Sequence, residues 1–447
     1  MKKLPQVSVY KVLWNSQQIL KNPLPFHHEN FKKLGDTFEI TTLGDGKLIF
    51  SRSPNVVKEV LQKKQKSFSK SRLQTTDLAK YVGHGLLTSE GDHWRAHRRM
   101  IQPKFHLKNL KSLLGIMYQA IEDELRVIEP KKEQDIFGLM GDVAFKVVAK
   151  SLFNALDIDE PMAKLKTIAE ENQLMLIREM RQPYLKWWFK ASGKIDLALN
   201  KSEKAREILN ELIEQRIDSE QRSTDLLDML LEATYEDGTK MSRRQLIDEL
   251  FILFTAGYET TANALSFTLF FIAKDSNLQN QIFEEVSKLE DHSIKMEDLQ
   301  KLLLTQSSID EAMRLYPPAY FIDRVAVEEV EIDGFRFKKD SLVLLSLYEL
   351  HRYKDFWNHP TSYIGSRFQD FQDKNHTNYF FPFGAGPRMC IGNAFATYEM
   401  IMVVATLVKK YRITTKMDEV EINPMITLKP KEVRLQFHER KSPSISA

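Results

Sequence analysis

Apolar residues recur at helical spacing through most of the chain. The run 393–410 places Ala394, Tyr398, Met400, Ile401, Val404 and Leu407 in one stripe, which predicts an amphipathic helix. The same pattern predicts long helices over 109–127, 135–153, 163–180, 201–214, 276–289 and 296–316. Segment 242–274 is the longest candidate, with Ser242 as its N-cap. Shorter helices are predicted at 54–64 and 91–105, separated by a loop over 67–89 that holds Gly83 and Gly85. Alternation over 37–52 predicts two strands joined at Gly44-Asp45-Gly46. Further short strands are predicted near 326–337 and 342–345, and 419–437 is strand-rich. The expected class is mainly α with small β-sheets (α+β).

Composition narrows this picture. No Pro/Gly/Ser linker divides the 447 residues, so one catalytic domain over 1–447 is expected, with a loose tail at about 440–447. The hydrophobic share of 43% is enough for a large core. A net charge of +3 gives no basic field for nucleic acid. The longest stretch free of Asp, Glu, Lys and Arg is 260–273, 14 residues. A membrane span needs about 20. Lys2, Lys3 and Lys11 precede no apolar core of a signal peptide. A cytoplasmic protein without a membrane anchor is expected.

The chemistry centres on the only cysteine, in Phe383-Gly384-Ala385-Gly386-Pro387-Arg388-Met389-Cys390-Ile391-Gly392. One cysteine makes no intramolecular disulfide and no multi-cysteine metal site. What remains is a buried thiol, a nucleophile, or a thiolate ligand to a metal that brings its other ligands, as haem iron does. The glycines let backbone approach a flat ligand. Cys390 is expected at the start of the 393–410 helix, where the helix dipole lowers a thiol pKa from ~8.5 and favours thiolate at neutral pH.

Three further segments stand out. Ala256-Gly257-Tyr258-Glu259-Thr260-Thr261 puts poor helix formers inside the longest helix. It marks either a tolerated glycine in a plain buried helix or a π-like bulge opening a groove over a ligand. Glu311 and Arg314 form an i,i+3 acid–base pair, ended by Pro317-Pro318. Trp94 and Arg98 share one face of a cationic helix that also carries Arg95, His97 and Arg99.

Together these segments resemble the cytochrome P450 family, motif by motif and in order across about 85–395. The resemblance implies the cytochrome P450 fold in a single haem-containing domain. It implies Cys390 as proximal iron ligand, within a haem loop that includes Phe383, Gly384 and Gly392. Arg388, Trp94, Arg98, His97 and Arg324 become propionate ligands. Thr260 is implied to hydrogen-bond beside dioxygen, and Glu259 to bring protons. Glu311, Arg314 and Arg367 match the family's structural triad, although Gly365 stands where the family has proline and Thr361 where it has glutamate.

By the same resemblance the substrate pocket takes Tyr81, Val82 and Leu86 from the 67–89 loop and Ile252, Leu253 and Ala256 from the long helix. Tyr320, Phe321 and Ile322 follow the Glu311 helix, and Met425, Ile426 and Thr427 come from the C-terminal hairpin. Tyr184, Trp187, Trp188 and Phe189 form either a lid or core packing. The implied function is a monooxygenase that hydroxylates or oxidatively dealkylates (for example O-demethylates) a small, largely apolar compound. The implied cofactor is haem b. Electrons come from a ferredoxin or flavodoxin with its reductase, so NAD(P)H acts only indirectly, and Arg95, Arg99 and Lys104 offer a basic docking face. A monomer is expected. The alternatives are a peroxide-driven or rearranging relative and, outside catalysis, a haem-based sensor or carrier.

Overall fold

The computed structural model describes residues 2–41, 47–154, 157–219, 223, 225–289, 294–369 and 374–440. The predicted Gly44-Asp45-Gly46 turn and nearly all of the predicted tail lie outside them. The longest element is the helix Arg243–Lys274. Ser242 caps it, its hydroxyl accepting from the Gln245 N–H at 3.2 Å, which satisfies one orphan donor. The helix is buried around most of its circumference, as expected of one crossing the middle of a large core. Its main partner is Ile136–Phe153. Gly257 marks their close approach: a Cβ there would lie 3.0 Å from Val148 Cγ2.

No π-like bulge interrupts this helix. The threonines are accommodated by bonding one turn back, Thr260 Oγ1 to the Ala256 carbonyl and Thr261 Oγ1 to the Gly257 carbonyl, each at 3.0 Å. Leu303–Leu315 and Asn393–Lys410 pack on the long helix and on each other.

A smaller layer is built on a six-stranded sheet, in the order Gln6–Val7, Thr37–Thr41, Lys47–Ser51, Leu342–Ser346, Phe321–Ala326 and Phe68–Ser69. Lys47–Ser51 pairs parallel with Leu342–Ser346, with Phe50 opposite Leu344, although some 290 residues of chain separate them. A second apolar cluster, including Val56, Val57, Leu61, Phe68 and Leu345, lies against this sheet. Among the described residues no helix is long and apolar enough to cross a membrane.

Several sequence expectations are corrected. The 67–89 loop contains the helical turns Leu73–Leu78 and Ala79–Val82. The predicted 296–316 helix is two, Met296–Leu299 and Leu303–Leu315, because Glu285 accepts the Leu304 and Thr305 N–H groups and starts a new helix there. The strand near 326 begins at Phe321, and helices Val9–Trp14, Ser16–Lys21 and Leu24–Leu34 precede the first hairpin.

The cysteine loop is held by close contact. Gly384 and Gly386 have φ of +72° and +71°. A Cβ on Gly386 would sit 2.0 Å from the Leu61 carbonyl oxygen. The Cys390 N–H donates to the Phe383 carbonyl at 2.9 Å and closes the loop. Gly392 then caps Asn393–Lys410 at φ −89°, with no atom near its missing Cβ. Gly386→Ala is therefore expected to destabilise the protein by about 2–4 kcal/mol, from the left-handed backbone and the backbone overlap. Gly392→Ala should stay within about 1 kcal/mol. Urea denaturation of the two variants checks the contrast.

Candidate active site

Cys390 is exposed, as is Met389 before it, while protein packs around the sulfur from the other side. Burial therefore pushes the thiol above its ordinary pKa, opposed by the Gly392 N–H and the Arg98 guanidinium. Desolvation is the larger influence, set against the N–H and guanidinium that favour the thiolate. Arg98 reaches the loop directly, its Nη1 donating to the Met389 carbonyl at 2.8 Å.

Beside the loop lies a cluster of cations. Arg388 donates to Glu90 Oε2 at 2.6 Å and to the Phe68 carbonyl at 3.0 Å. Its guanidinium carbon is 5.3 Å from the Trp94 ring centroid. Arg324 is buried, its Nη1 on the Asp323 carbonyl at 2.7 Å. Burial first, and Arg388 second, push Arg324 down to about 10. Lys70 completes the group. It is buried, and burial, aided by Arg388 and Arg324 and opposed by Glu90 and Glu249, pushes it down to about 7. Sequence reasoning passed over Lys70 because it lies in a segment read as loop and belongs to no recognised pattern.

The structure does not bring His97 into this cluster. Its ring is buried with Nδ1 2.9 Å from Glu249 Oε1 and Nε2 2.8 Å from the Tyr235 hydroxyl. Nε2 is taken by Tyr235, while Nδ1 lies beside Glu249 without a hydrogen bond.

On the long helix Ala256 is exposed although Phe254 and Tyr258 on either side are buried. Glu259 accepts from the Thr427 hydroxyl and pairs with Lys429 Nζ at 2.9 Å. Asn263 Nδ2 donates to Thr427 Oγ1 at 3.0 Å. Thr427, expected as pocket lining, is thus also bonded to the implied proton carrier. Lys429, which the sequence reading missed, is 170 residues from Glu259 and on another element, beyond any local pattern.

The remaining pocket candidates divide. Leu253, Ile322, Met425 and Ile426 are half-buried, and Ile322 Cδ1 lies 3.5 Å from the Cβ position of Gly384, beside the cysteine loop. Val82, Leu86 and Ile252 are buried, with Ile252 packed against Gly85. Three aromatic candidates are tied into the scaffold. The Tyr81 hydroxyl donates to Glu179, and that of Tyr320 to the Met425 carbonyl at 2.6 Å. The Phe321 ring packs on His27 and Phe50, because successive strand residues point to opposite faces. Tyr184, Trp187 and Trp188 are exposed and Phe189 is buried, so the aromatic run is not one core cluster.

Glu311, Arg314 and Arg367 meet. Arg314 binds both carboxylate oxygens of Glu311, at 2.7 and 2.9 Å, and Arg367 Nε adds 2.9 Å to Oε1. The Ile364 N–H donates to the same oxygen at 3.0 Å. Arg314 Nη1 binds the carbonyls of His351 and Pro360. At Gly365 a Cβ would lie 2.4 Å from Leu278 Cδ2, which accounts for glycine at this position.

A family model described as Cytochrome P450 matches residues 5–437. The chain belongs to the cytochrome P450 family. Its relatives are monooxygenases, so it is an oxidoreductase of that kind and its cofactor is haem. One relative, the cyclooctat-9-en-7-ol 5-monooxygenase of Streptomyces melanosporofaciens, is 27% identical over 432 residues, covering 92% of this chain and 88% of that protein. Cytochrome P450 4A7 of Oryctolagus cuniculus is 29% identical, covering 80% and 74%. The crystal structure of the cytochrome P450DA heme domain superposes with a TM-score of 0.87 at 22% identity, covering 99% of this chain and 98% of that one.

The residues of this P450 fit haem. Arg388 Nε is buried without a hydrogen-bond partner beside the buried Arg324 and Lys70, as a site that an anionic group completes would have it. Arg314 and Glu311 are wholly buried. Glu311→Gln leaves two guanidiniums without their carboxylate and is expected to cost about 3–5 kcal/mol, against roughly 1 kcal/mol for Arg367→Lys. Denaturant midpoints of the two variants check this.

Proposed function

We propose that this P450 is a haem-thiolate monooxygenase that activates dioxygen to hydroxylate or oxidatively dealkylate, for example O-demethylate, a small and largely apolar substrate. The observation that carries the reading is the single accessible thiol on a contact-locked glycine loop, on a helix that packs against the one bearing Ala256, Glu259 and Thr260. In this reading Cys390 holds the iron of haem b, and Trp94, Arg98, Arg324 and Arg388 hold the propionates. When bound, haem would supply the site where dioxygen binds and accepts electrons from the partner, with thiolate donation favouring oxygen–oxygen cleavage.

The chain's residues then have separate tasks. Thr260 turns its hydroxyl from the Ala256 carbonyl toward dioxygen and orients it. Glu259 holds and passes a proton, which oxygen–oxygen cleavage needs. Leu253, Ala256, Ile322 and Ile426 bound an apolar space that excludes water and favours hydrocarbon surface. The Streptomyces relative, by its name, oxygenates an unsaturated alcohol, which supports an apolar substrate. Glu311, Arg314 and Arg367 hold the scaffold beneath the loop and take no part in the chemistry.

Electrons come from NAD(P)H by way of a ferredoxin or flavodoxin and its reductase, to a monomeric, cytoplasmic, single-domain enzyme. Arg95, Arg99 and Met100 line a cleft with Tyr235 and Asp237, on the helix whose Arg98 contacts the cysteine loop. Arg99 pairs with Glu236 at 2.7 Å and Arg95 with Asp92 at 2.9 Å. These exposed pairs are weak enough for an acidic partner to replace.

The deciding experiment is the absorption spectrum of the reduced, carbon monoxide-bound protein. The native protein should give the red-shifted band of thiolate ligation, and Cys390→Ser should lose it completely. A band that survives the substitution contradicts the proposal. For docking, Arg95→Glu with Arg99→Glu should slow reduction by an acidic ferredoxin about tenfold or more at low salt, with the difference shrinking at high salt. Stopped-flow reduction rates check it.

A further inference from the structure

Lys70 is a buried lysine whose ammonium bonds carbonyls, with Glu90 and Glu249 acting on it electrostatically. Its side chain is enclosed, and its ammonium donates to the carbonyls of Leu86 at 2.7 Å and Ser89 at 2.9 Å. An ammonium has three donors, and these two bonds fix where the group sits. The backbone N–H of Lys70 donates to Glu90 Oε1, while Glu90 Oε2 is taken by Arg388. The Trp94 ring centroid is 6.0 Å from the ammonium. Glu90, then Arg388, Arg324 and Glu249, are close enough to act on Lys70 electrostatically. Burial is the main cost of placing an ammonium here, and an anion at its third donor would offset it.

We propose that Lys70 is a haem-anchoring residue: its ammonium, stapled to the Leu86 and Ser89 carbonyls, gives its third donor to a haem propionate beside Arg388 and Trp94. This rests on haem occupying the site proposed above. The chain thereby ties the cofactor to the 83–90 segment as well as to the helix and loop arginines.

The test compares holoenzyme carrying ferric protoporphyrin IX with holoenzyme carrying its dimethyl ester, in which the propionates have lost their charge. Loss of porphyrin to excess apomyoglobin is timed for each. Lys70→Met should release protoporphyrin about tenfold or more faster than wild type, the value of one charge-assisted hydrogen bond. It should release the ester at the wild-type rate, and Lys70→Arg should restore retention to within about threefold. If Lys70→Met is not recovered folded, Lys70→Gln keeps donors for the two carbonyls, removes the charge and gives the same comparison. Equal release of protoporphyrin from variant and wild type overturns the proposal, as does equal acceleration for protoporphyrin and ester, which marks a purely structural lysine. A wild-type chain that retains neither porphyrin overturns the haem reading itself.

Discussion

A lone thiol can serve as a metal ligand only if its backbone cannot move, and here that constraint is steric. Gly386 lies against the Leu61 carbonyl so closely that no side chain fits, and its backbone is left-handed. The loop is pinned from outside by this contact with the helical turn Glu59–Lys63 and from within by the Cys390 N–H on the Phe383 carbonyl. From the helix side, Arg98 holds the Met389 carbonyl. The thiol position therefore depends on helix, turn and loop being packed together, and the rest of the site takes its geometry from it.

Two buried charge clusters flank this arrangement, and they differ in a way that separates scaffold from site. Around Glu311 each carboxylate oxygen meets guanidinium donors, and the surplus donors of Arg314 and Arg367 end on carbonyls. That cluster is complete. Around Glu90, Arg388 keeps a buried N–H without a hydrogen-bond partner, and burial holds Lys70 and Arg324 below their ordinary pKa values. An incomplete cluster is what a fold retains where an anionic ligand finishes the structure.

Much of this was legible in the sequence. The Asn393–Lys410 helix and the capped Arg243–Lys274 helix follow from long, regular periodicity, where a dozen or more positions vote together. The motif around Cys390 identified the family because glycine spacing and the lone thiol are local properties. What was not legible depends on contacts between distant segments. Strand Phe321–Ala326 is set by pairing with Leu342–Ser346 rather than by its own alternation. The partners of Glu259 lie on the C-terminal hairpin, and His97 is claimed by Glu249 and Tyr235.

The central claim is a bond between the Cys390 sulfur and iron. X-ray absorption at the iron edge of the purified, haem-loaded protein measures it directly. The account predicts one sulfur among the nearest neighbours of iron, beside the porphyrin nitrogens, and its replacement by a lighter atom in Cys390→Ser. An iron surrounded only by nitrogen and oxygen in the native protein would contradict it.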